Sequence, residues 1–143
     1  MFDTEHKKTT NPGRIDGYTG RIMRVDLTKG VITSENPDEA SLRKYVGGAA
    51  LGIKYLYDEV KPGVQWSDPD NRLFLGSGPL GGTKVGGSGA IAVVSKGSLT
   101  DGIASTQANG FFGAFMRLSG FDGIIIQGAA PGWVYLYIHD NIA

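Results

Sequence analysis

Cysteine is absent from the 143 residues of this chain. Disulfides, zinc–thiolate sites, iron–sulfur ligation and a thiol nucleophile are therefore excluded within it. The chain also lacks an excess of either charge, because 14 Lys and Arg balance 14 Asp and Glu. A nucleic-acid-binding domain normally carries a basic excess or a basic stripe. The balance therefore argues against nucleic acid as a partner.

Long apolar runs are missing as well. No segment approaches the roughly 20 apolar residues that a transmembrane helix needs, so we expect no membrane partner. The opening residues, MFDTEHKKTTNPGR, lack the apolar stretch of a secretory signal. From these two observations we expect a cytoplasmic protein.

Glycine, by contrast, is abundant. The chain has 23 glycines, about twice the usual share. They fall between apolar segments, without a period and without Pro-rich low complexity. This distribution suits tight turns, or backbone that comes close to something bulky.

Periodicity and turn residues divide the chain into blocks of strands and helices. Strands are predicted near residues 21–27, 31–35, 72–75, 90–94, 123–126 and 133–138. Helices are predicted near 37–46, with Asn36 as the N-cap, and near 49–60 and 111–118. Residues 97–109 are expected to hold a loop and a short strand. Because the elements come in blocks and not in strict alternation, the pattern predicts an α+β fold.

The same pattern predicts one domain. Residues 1–16 are polar and without periodicity, so we expect a flexible leader before a domain over 17–143. The run at 123–126 is apolar at consecutive positions, as in a strand covered on both faces. The last predicted strand is also apolar and ends near what looks like a turn at Asp140. We therefore expect the natural chain to continue past Ala143.

Residues 76–81, GSGPLG, spell G-x-G-x-x-G directly after a predicted strand. A dinucleotide site requires a helix to begin there, but the glycine-dense residues that follow are not helical in pattern. Backbone N–H groups that are closely spaced in such a loop can still bind an anion without a helix. A flexible connection between two strands is the alternative, and composition does not separate the two.

The chain shows no catalytic constellation. His6 and His139 lack a second imidazole or a paired carboxylate nearby, so we expect both to be exposed. Gln107 and Asn109 offer paired donors and acceptors, as the edge of a heterocycle requires. Asn109 can equally cap the helix that follows, and the residues alone favour that interpretation. The aromatic cluster before Gly120 is expected in the core; it consists of Phe111, Phe112, Phe115 and Met116.

Six segments, in order, resemble the N-terminal domain of the tungsten aldehyde:ferredoxin oxidoreductase family. They are residues 20–30, 45–52, 78–83, 93–100, 109–113 and 119–126. The segment 78–83 matches the family element G-P-L-x-G-T, and 93–100 matches V-V-[ST]-K-[SG]-[PS]-L-T. The resemblance covers roughly residues 18–140, which is nearly the whole chain.

The resemblance implies two β-sheets related by pseudo-two-fold symmetry, with short helices, on which a tungsten bis-molybdopterin cofactor rests. It implies that other domains or subunits, missing here, carry a four-iron cluster (4Fe-4S). The parent activity is oxidation of aldehydes to acids, with ferredoxin or another redox partner as acceptor. Because the chain itself has no cysteine and no catalytic constellation, we expect the isolated chain to be inactive.

The resemblance also implies where the cofactor binds. Gln107 falls where the family has a pterin-contacting Asn, and Asn109 falls at a family glycine. The expected contacts come from the loops 81–90 and 107–110, with Ser88, Gly89 and Gly110 among them. Where family members commonly have an Arg that contacts the pterin, this chain has Ala90. No catalytic residue and no metal ligand is expected within the chain.

Two other functions stay open. The first is a free-standing, non-enzymatic module that binds a protein or forms a homo-oligomer. It predicts an exposed apolar patch around Phe111, Phe115 and Trp133. The second is a mononucleotide-binding protein that uses the loop 76–89.

Overall fold

A computed structural model describes residues 15–140 of the chain. The strands are β1 (Ile22–Asp26), β2 (Val31–Glu35), β3 (Arg72–Gly76), β4 (Ile91–Lys96), β5 (Ile103–Ala108) and β6 (Gly123–Gln127). The helices are α1 (Glu39–Tyr45), α2 (Gly48–Glu59) and α3 (Phe112–Leu118). The α+β class is confirmed, and residues 97–109 do hold a strand.

The strands form one mixed sheet in the order β2-β1-β6-β3-β4-β5. Strand β6 pairs parallel with β1 and antiparallel with β3, so it lies between the β1–β2 hairpin and the β3–β4–β5 meander. The resemblance implied two sheets. Residues 15–140 form a single continuous sheet instead, because β6 is hydrogen-bonded to both halves.

Each face of the sheet carries its own core. The first cluster lies on the face covered by α1 and α2, which we call the α2 face; it contains Tyr18, Ile22, Leu42, Leu51, Leu56, Phe74, Val94 and Ile125. The second lies on the face covered by α3, the α3 face; it contains Met23, Val25, Met116, Phe121 and Ile124. The neighbours Ile124 and Ile125 are both fully buried, one in each cluster. The expectation that β6 is covered on both faces is confirmed.

Helix α1 begins two residues later than the sequence predicts. Asp38 is the N-cap, since its carboxylate accepts hydrogen bonds from the backbone N–H of Ser41 (2.8 Å) and from its hydroxyl (2.7 Å). The side chain of Asn36, the predicted cap, donates instead to the carbonyl of Gly20 at 2.7 Å. Asn36 therefore ties the end of β2 to the residue that leads into β1. The prediction of Asn36 as the cap was wrong.

Residues 133–138, predicted as a strand, form no strand within the described residues. Leu136 and Ile138 pack against the α3-face cluster, whereas Trp133, Tyr135 and Tyr137 are exposed. The alternation seen in the sequence therefore reflects burial on one side and not pairing in a ladder.

Most of the predicted leader, residues 1–14, lies outside the described residues. Ile15 packs against the α2-face cluster. Among residues 15–140, none of the helices could span a lipid bilayer.

A network of charges holds the end of α2 against the sheet. Glu59 accepts hydrogen bonds from Arg24 (2.6 and 2.8 Å) and from Arg72 (2.9 Å). Arg24 also reaches Glu35 at 2.9 Å and the side chain of Gln127 at 3.0 Å. Burial by itself raises the pKa of Glu59, but the hydrogen bonds from the two arginines outweigh burial and lower that pKa below its usual 4.5.

We predict that Glu59→Gln lowers the free energy of unfolding by about 2 kcal/mol at pH 7, because two guanidinium groups lose their charged acceptor. Since the folded-state pKa of Glu59 is lowered, its contribution is complete above the unfolded pKa near 4.5 and is lost as the pH falls through the folded value. The difference between variant and parent should therefore shrink in urea titrations below pH 4.5.

The neighbouring Asp58→Asn is the matched control. Asp58 pairs with Lys54 at the surface (2.7 Å), so its loss should cost less than about 0.5 kcal/mol. Equal effects of the two substitutions, or a Glu59→Gln effect that does not change with pH, would contradict this account of the network.

Candidate functional site

The loops 81–90 and 107–110 meet at one end of the β4–β5 ladder. Ile91 is paired with Ala108, so the residues before β4 and after β5 leave the sheet side by side. A Cβ atom on Gly89 would lie 1.7 Å from the carbonyl oxygen of Gly110, which means that the two backbones are in direct contact. The sequence predicted both loops as ligand contacts, and the structure brings them together.

The first turn of α3 closes this contact. The backbone N–H of Gly113 donates to the carbonyl of Gly89 at 3.1 Å. A Cβ on Gly113 would lie 2.5 Å from the carbonyl oxygen of Ala90. We call Gly89, Gly110 and Gly113 the glycine junction. Gly110 has φ 138°, a backbone conformation that glycine adopts readily and other residues rarely do.

The loop before β4 is closed by its own hydrogen bonds. The N–H of Gly82 donates to the carbonyl of Ser88 at 3.0 Å, and the hydroxyl of Ser88 donates to the carbonyl of Thr83 at 2.7 Å. The predicted contact residue Ser88 thus uses its side chain within the loop. Within residues 15–140, the backbone N–H groups of Gly86, Gly87 and Gly89 have no hydrogen-bond acceptor. The loop therefore presents several peptide donors that a ligand can use.

The amide side chains of Gln107 and Asn109 are exposed, and neither forms a hydrogen bond with another described residue. Gln107 is paired with Ala92, whose side chain meets the start of α2, so Gln107 points to the α2 face. Asn109 follows the last residue of β5. Both amides can donate and accept hydrogen bonds.

Asn109 does not cap α3. The N-cap position is Phe111, and its side chain makes no capping hydrogen bond. Strand β5 extends to Ala108, and the backbone of Gly110 separates Asn109 from the helix. The capping interpretation, which the residues alone favoured, was wrong, and the amide is not used for the helix.

No helix comes directly after β3 among the described residues, since the next element along the chain is β4. The motif at 76–81 therefore lacks the helix N-terminus on which a dinucleotide site depends. The third glycine of the motif, Gly81, packs against other parts of the protein instead. A Cβ placed there would lie 2.2 Å from the Ser77 hydroxyl and 2.9 Å from Arg117 Cγ.

The aromatic residues of α3 are on the surface. Met116 is buried as predicted, but Phe111 is 78% exposed and Phe115 is 63% exposed. The prediction that the phenylalanines belong to the core was wrong, because only the face of α3 with Gly113 and Met116 contacts the sheet. Trp133 is also fully exposed. A groove of about 270 Å³ lies between α3 and residues 136–138.

A buried ion pair of Arg117 and Asp122 lies next to the loop before β4, and the sequence pattern did not predict it. Asp122 is 2% exposed. Its position before an apolar strand, within a motif shared with the family, is the signal that could have identified it.

Within residues 15–140, no group of three or more His, Asp or Glu side chains is placed to hold a metal ion. His139 is exposed, as predicted, and its Nδ1 lies 2.9 Å from a carboxylate oxygen of Asp140. His6 is outside the described residues.

We predict that Gly89→Ala lowers the free energy of unfolding by about 3 kcal/mol or more, because the new methyl group collides with the carbonyl of Gly110. Gly86→Ala is the control in the same loop. A Cβ at Gly86 meets no atom within 4 Å, so its effect should stay within about 1 kcal/mol. Thermal and urea unfolding measure the change in the free energy of unfolding for both variants. If Gly89→Ala is as stable as the parent, the two backbones do not touch as described.

Comparison with known proteins agrees with the fold. The family model for the N-terminal domain of aldehyde ferredoxin oxidoreductase matches residues 22–143. A tungsten-containing aldehyde ferredoxin oxidoreductase of Pyrococcus abyssi is 43% identical over 125 residues, which are 87% of this chain and 21% of that protein. The WOR-like subunit of an aliphatic sulfonate oxidoreductase of Pyrococcus furiosus is 35% identical over 129 residues, 87% of this chain and 20% of that protein.

A solved structure is similar as well. It is the active site complex BamBC of benzoyl coenzyme A reductase, in complex with 1,5-dienoyl-CoA. The match has a TM-score of 0.85 and 34% identity, over 88% of this chain and 19% of that chain. The chain thus spans about a fifth of the length of the relatives it matches. Since the family model covers residues 22–143 and the fold is shared, the chain belongs to the aldehyde ferredoxin oxidoreductase family, as its N-terminal domain.

Proposed function

We propose that residues 17–143 seat a tungsten bis-molybdopterin cofactor within a larger oxidoreductase. The observation that carries the proposal is the contact between the loops 81–90 and 107–110 at the glycine junction. This contact gathers exposed peptide donors and two amide side chains at one end of the sheet. When bound, the tungsten pterin supplies two-electron redox chemistry, and the residues of this domain bind and orient it.

The donor set fits such a ligand. A pterin dithiolene combines a phosphate with a heterocycle whose edge carries donors and acceptors. The peptide N–H groups of Gly86, Gly87 and Gly89 suit the phosphate, because backbone donors in turns bind anions. The amides of Gln107 and Asn109 suit the heterocycle, because each both donates and accepts. The small residues of the loops let the backbone approach a planar ligand closely.

Ala90 stands where the resemblance implies an arginine. Its N–H donates to the carbonyl of Gly87 at 3.0 Å, and its carbonyl packs against Gly113. This position therefore contributes backbone shape and no charge. In the proposed complex, neutral donors hold the pterin here in place of a fixed cation.

For the whole protein we propose the oxidation of aldehydes to acids, because tungsten-containing aldehyde ferredoxin oxidoreductases are among the relatives. The proposed electron path leads through a 4Fe-4S cluster in the other domains to ferredoxin, in the cytoplasm. The exposed side chains of Phe111, Phe115 and Trp133 support the view that further domains or subunits cover this domain.

We predict that Gln107→Ala and Asn109→Ala each lower the tungsten and pterin content severalfold in the protein purified anaerobically from its host. Each substitution removes an amide at the site and leaves the fold intact, since both side chains are exposed. Ser105→Ala is the control, because Ser105 is also exposed and lies on β5, two residues before Gln107 and on the same face of the sheet. Metal analysis and the fluorescence of the oxidised pterin give both contents. Equal contents in all three variants would refute the role of these amides.

The alternative function is a free-standing module that associates through the exposed face of α3. Phe111 and Phe115, with ring centroids 6.3 Å apart, favour it in that they offer an apolar contact surface.

If the alternative function is correct, the native protein is an oligomer of 15.1 kDa chains. Phe115→Ser should then dissociate the oligomer. It should cost little stability, because Phe115 is exposed. Tyr57→Ser is the control, since Tyr57 is an exposed aromatic residue on α2. Intact mass and sedimentation velocity of the protein from its host make the test. A single polypeptide several times longer than this chain supports the cofactor-seating proposal and contradicts the alternative.

A further inference from the structure

The ion pair of Arg117 and Asp122 lies beneath the loop that precedes β4. Arg117 is in α3, Asp122 is the residue before β6, and both side chains are at least nine-tenths buried. The carboxylate of Asp122 also accepts hydrogen bonds from the backbone N–H groups of Thr19 (2.9 Å) and Gly20 (2.7 Å). Three donors therefore converge on one buried carboxylate. Its partners satisfy the charge and fix its position.

The side chain of Arg117 contacts the loop directly. A Cβ atom on Gly81 would lie 2.9 Å from Arg117 Cγ, and one on Gly82 would lie 3.5 Å from Arg117 Cβ. A larger side chain at position 81 would collide with Arg117, so only glycine there lets the loop pack this closely against the arginine. The loop therefore rests on the aliphatic part of Arg117, while the guanidinium is held by Asp122.

The same pair holds the loop from a second side. The guanidinium of Arg117 donates to the carbonyl of Gly17. Gly17 in turn packs against Pro79, since a Cβ on Gly17 would lie 3.0 Å from Pro79 Cβ. The segment that leads into β1 thus packs against the loop, and the ion pair holds that segment in place.

The start of the loop is bound to Asp122 as well. The backbone N–H of Ser77 donates to the carbonyl of Asp122 at 3.0 Å, and the N–H of Asp122 donates to the carbonyl of Arg21 at 2.8 Å. Asp122 therefore joins β1, the end of β3 and α3 at the point where the loop leaves the sheet.

We infer that Arg117 and Asp122 are positioning residues that hold the loop 77–90 in its ligand-binding shape. The inference rests on the proposed function, because it assigns the ion pair to the support of the cofactor loop. The pair acts through the loop and does not itself touch the cofactor. Arginine suits the task because its planar fork stays charged and can reach two acceptors at once.

Lys84 provides a direct readout of the loop. It is exposed within the loop, so trypsin cleaves after it when the loop opens. Lys29, exposed in the β1–β2 turn, provides an internal reference. In the protein purified from its host, Arg117→Gln should raise the ratio of cleavage at Lys84 to cleavage at Lys29 by about tenfold or more. Arg117→Lys keeps the charge but loses the fork, so it should give an intermediate ratio and show partial rescue.

Glu59→Gln is the control, because it removes a charged acceptor at the other end of the sheet. It should leave the ratio within about twofold of the parent, even where the global stability falls. If Arg117→Gln and Glu59→Gln change the ratio equally, the ion pair supports only the fold, and the inference is overturned. Hydrogen exchange of the amides of residues 80–90 measures the same effect for a variant that trypsin degrades too quickly.

The link to the cofactor is tested on the same samples. Arg117→Gln should lower the tungsten and pterin content together with the increase in cleavage. A loosened loop with unchanged cofactor content would overturn the assignment of the pair to the cofactor site. The cleavage ratio needs no cofactor, and the proposed function is decided separately by Gln107→Ala and Asn109→Ala, so the two ideas can fail independently.

Discussion

Hydrogen bonding of β6 to both β1 and β3 joins the β1–β2 hairpin to the β3–β4–β5 meander, and the other elements take their positions from it. Ile124 and Ile125 project to opposite faces of the sheet and are fully buried in the two separate cores. Helices α1 and α2 pack over one core, and α3 packs over the other. Asp122, directly before β6, anchors the entry to β1 and the start of the loop after β3.

The candidate site depends on the pairing order of the sheet, which brings the backbones of two loops into close contact. With β4 and β5 paired, the chain before β4 and the chain after β5 leave the sheet together. Gly89, Gly110 and Gly113 allow these two segments and α3 to touch without side chains between them. The loops then present peptide donors and amides to one end of the sheet, with Arg117 beneath them. The sheet thus supports a candidate site that is built mainly from backbone.

The elements were largely predictable from the sequence because apolar periodicity and glycine mark them locally. The α+β class, the opening hairpin and the burial of β6 on both faces are confirmed. The cap of α1 was missed because Asn36 and Asp38 are both good caps, and a contact distant in sequence, with Gly20, decides between them. The exposure of Phe111 and Phe115 was missed because sequence hydrophobicity does not state which surface a short helix presents.

The site was predictable only in part. Family motifs predict that the two loops bind a ligand, and the structure brings Gly89 and Gly110 of these loops together. The roles of individual side chains were harder to predict. Ser88 donates its hydroxyl hydrogen bond within the loop, and Asn109 is not a helix cap. The support from Arg117 and Asp122 depends on contacts with Gly17, Thr19 and Gly20, about 100 positions away in the chain. No local pattern encodes such contacts.

The most direct test of the cofactor-seating role is a crystal structure of the protein purified anaerobically from its host, with diffraction data collected at a tungsten absorption edge. The account predicts a tungsten pterin whose phosphate or ring edge hydrogen-bonds to the N–H groups of Gly86, Gly87 and Gly89 or to the amides of Gln107 and Asn109. A tungsten pterin bound elsewhere, with these loops facing solvent, would contradict it. So would a protein that contains neither tungsten nor pterin.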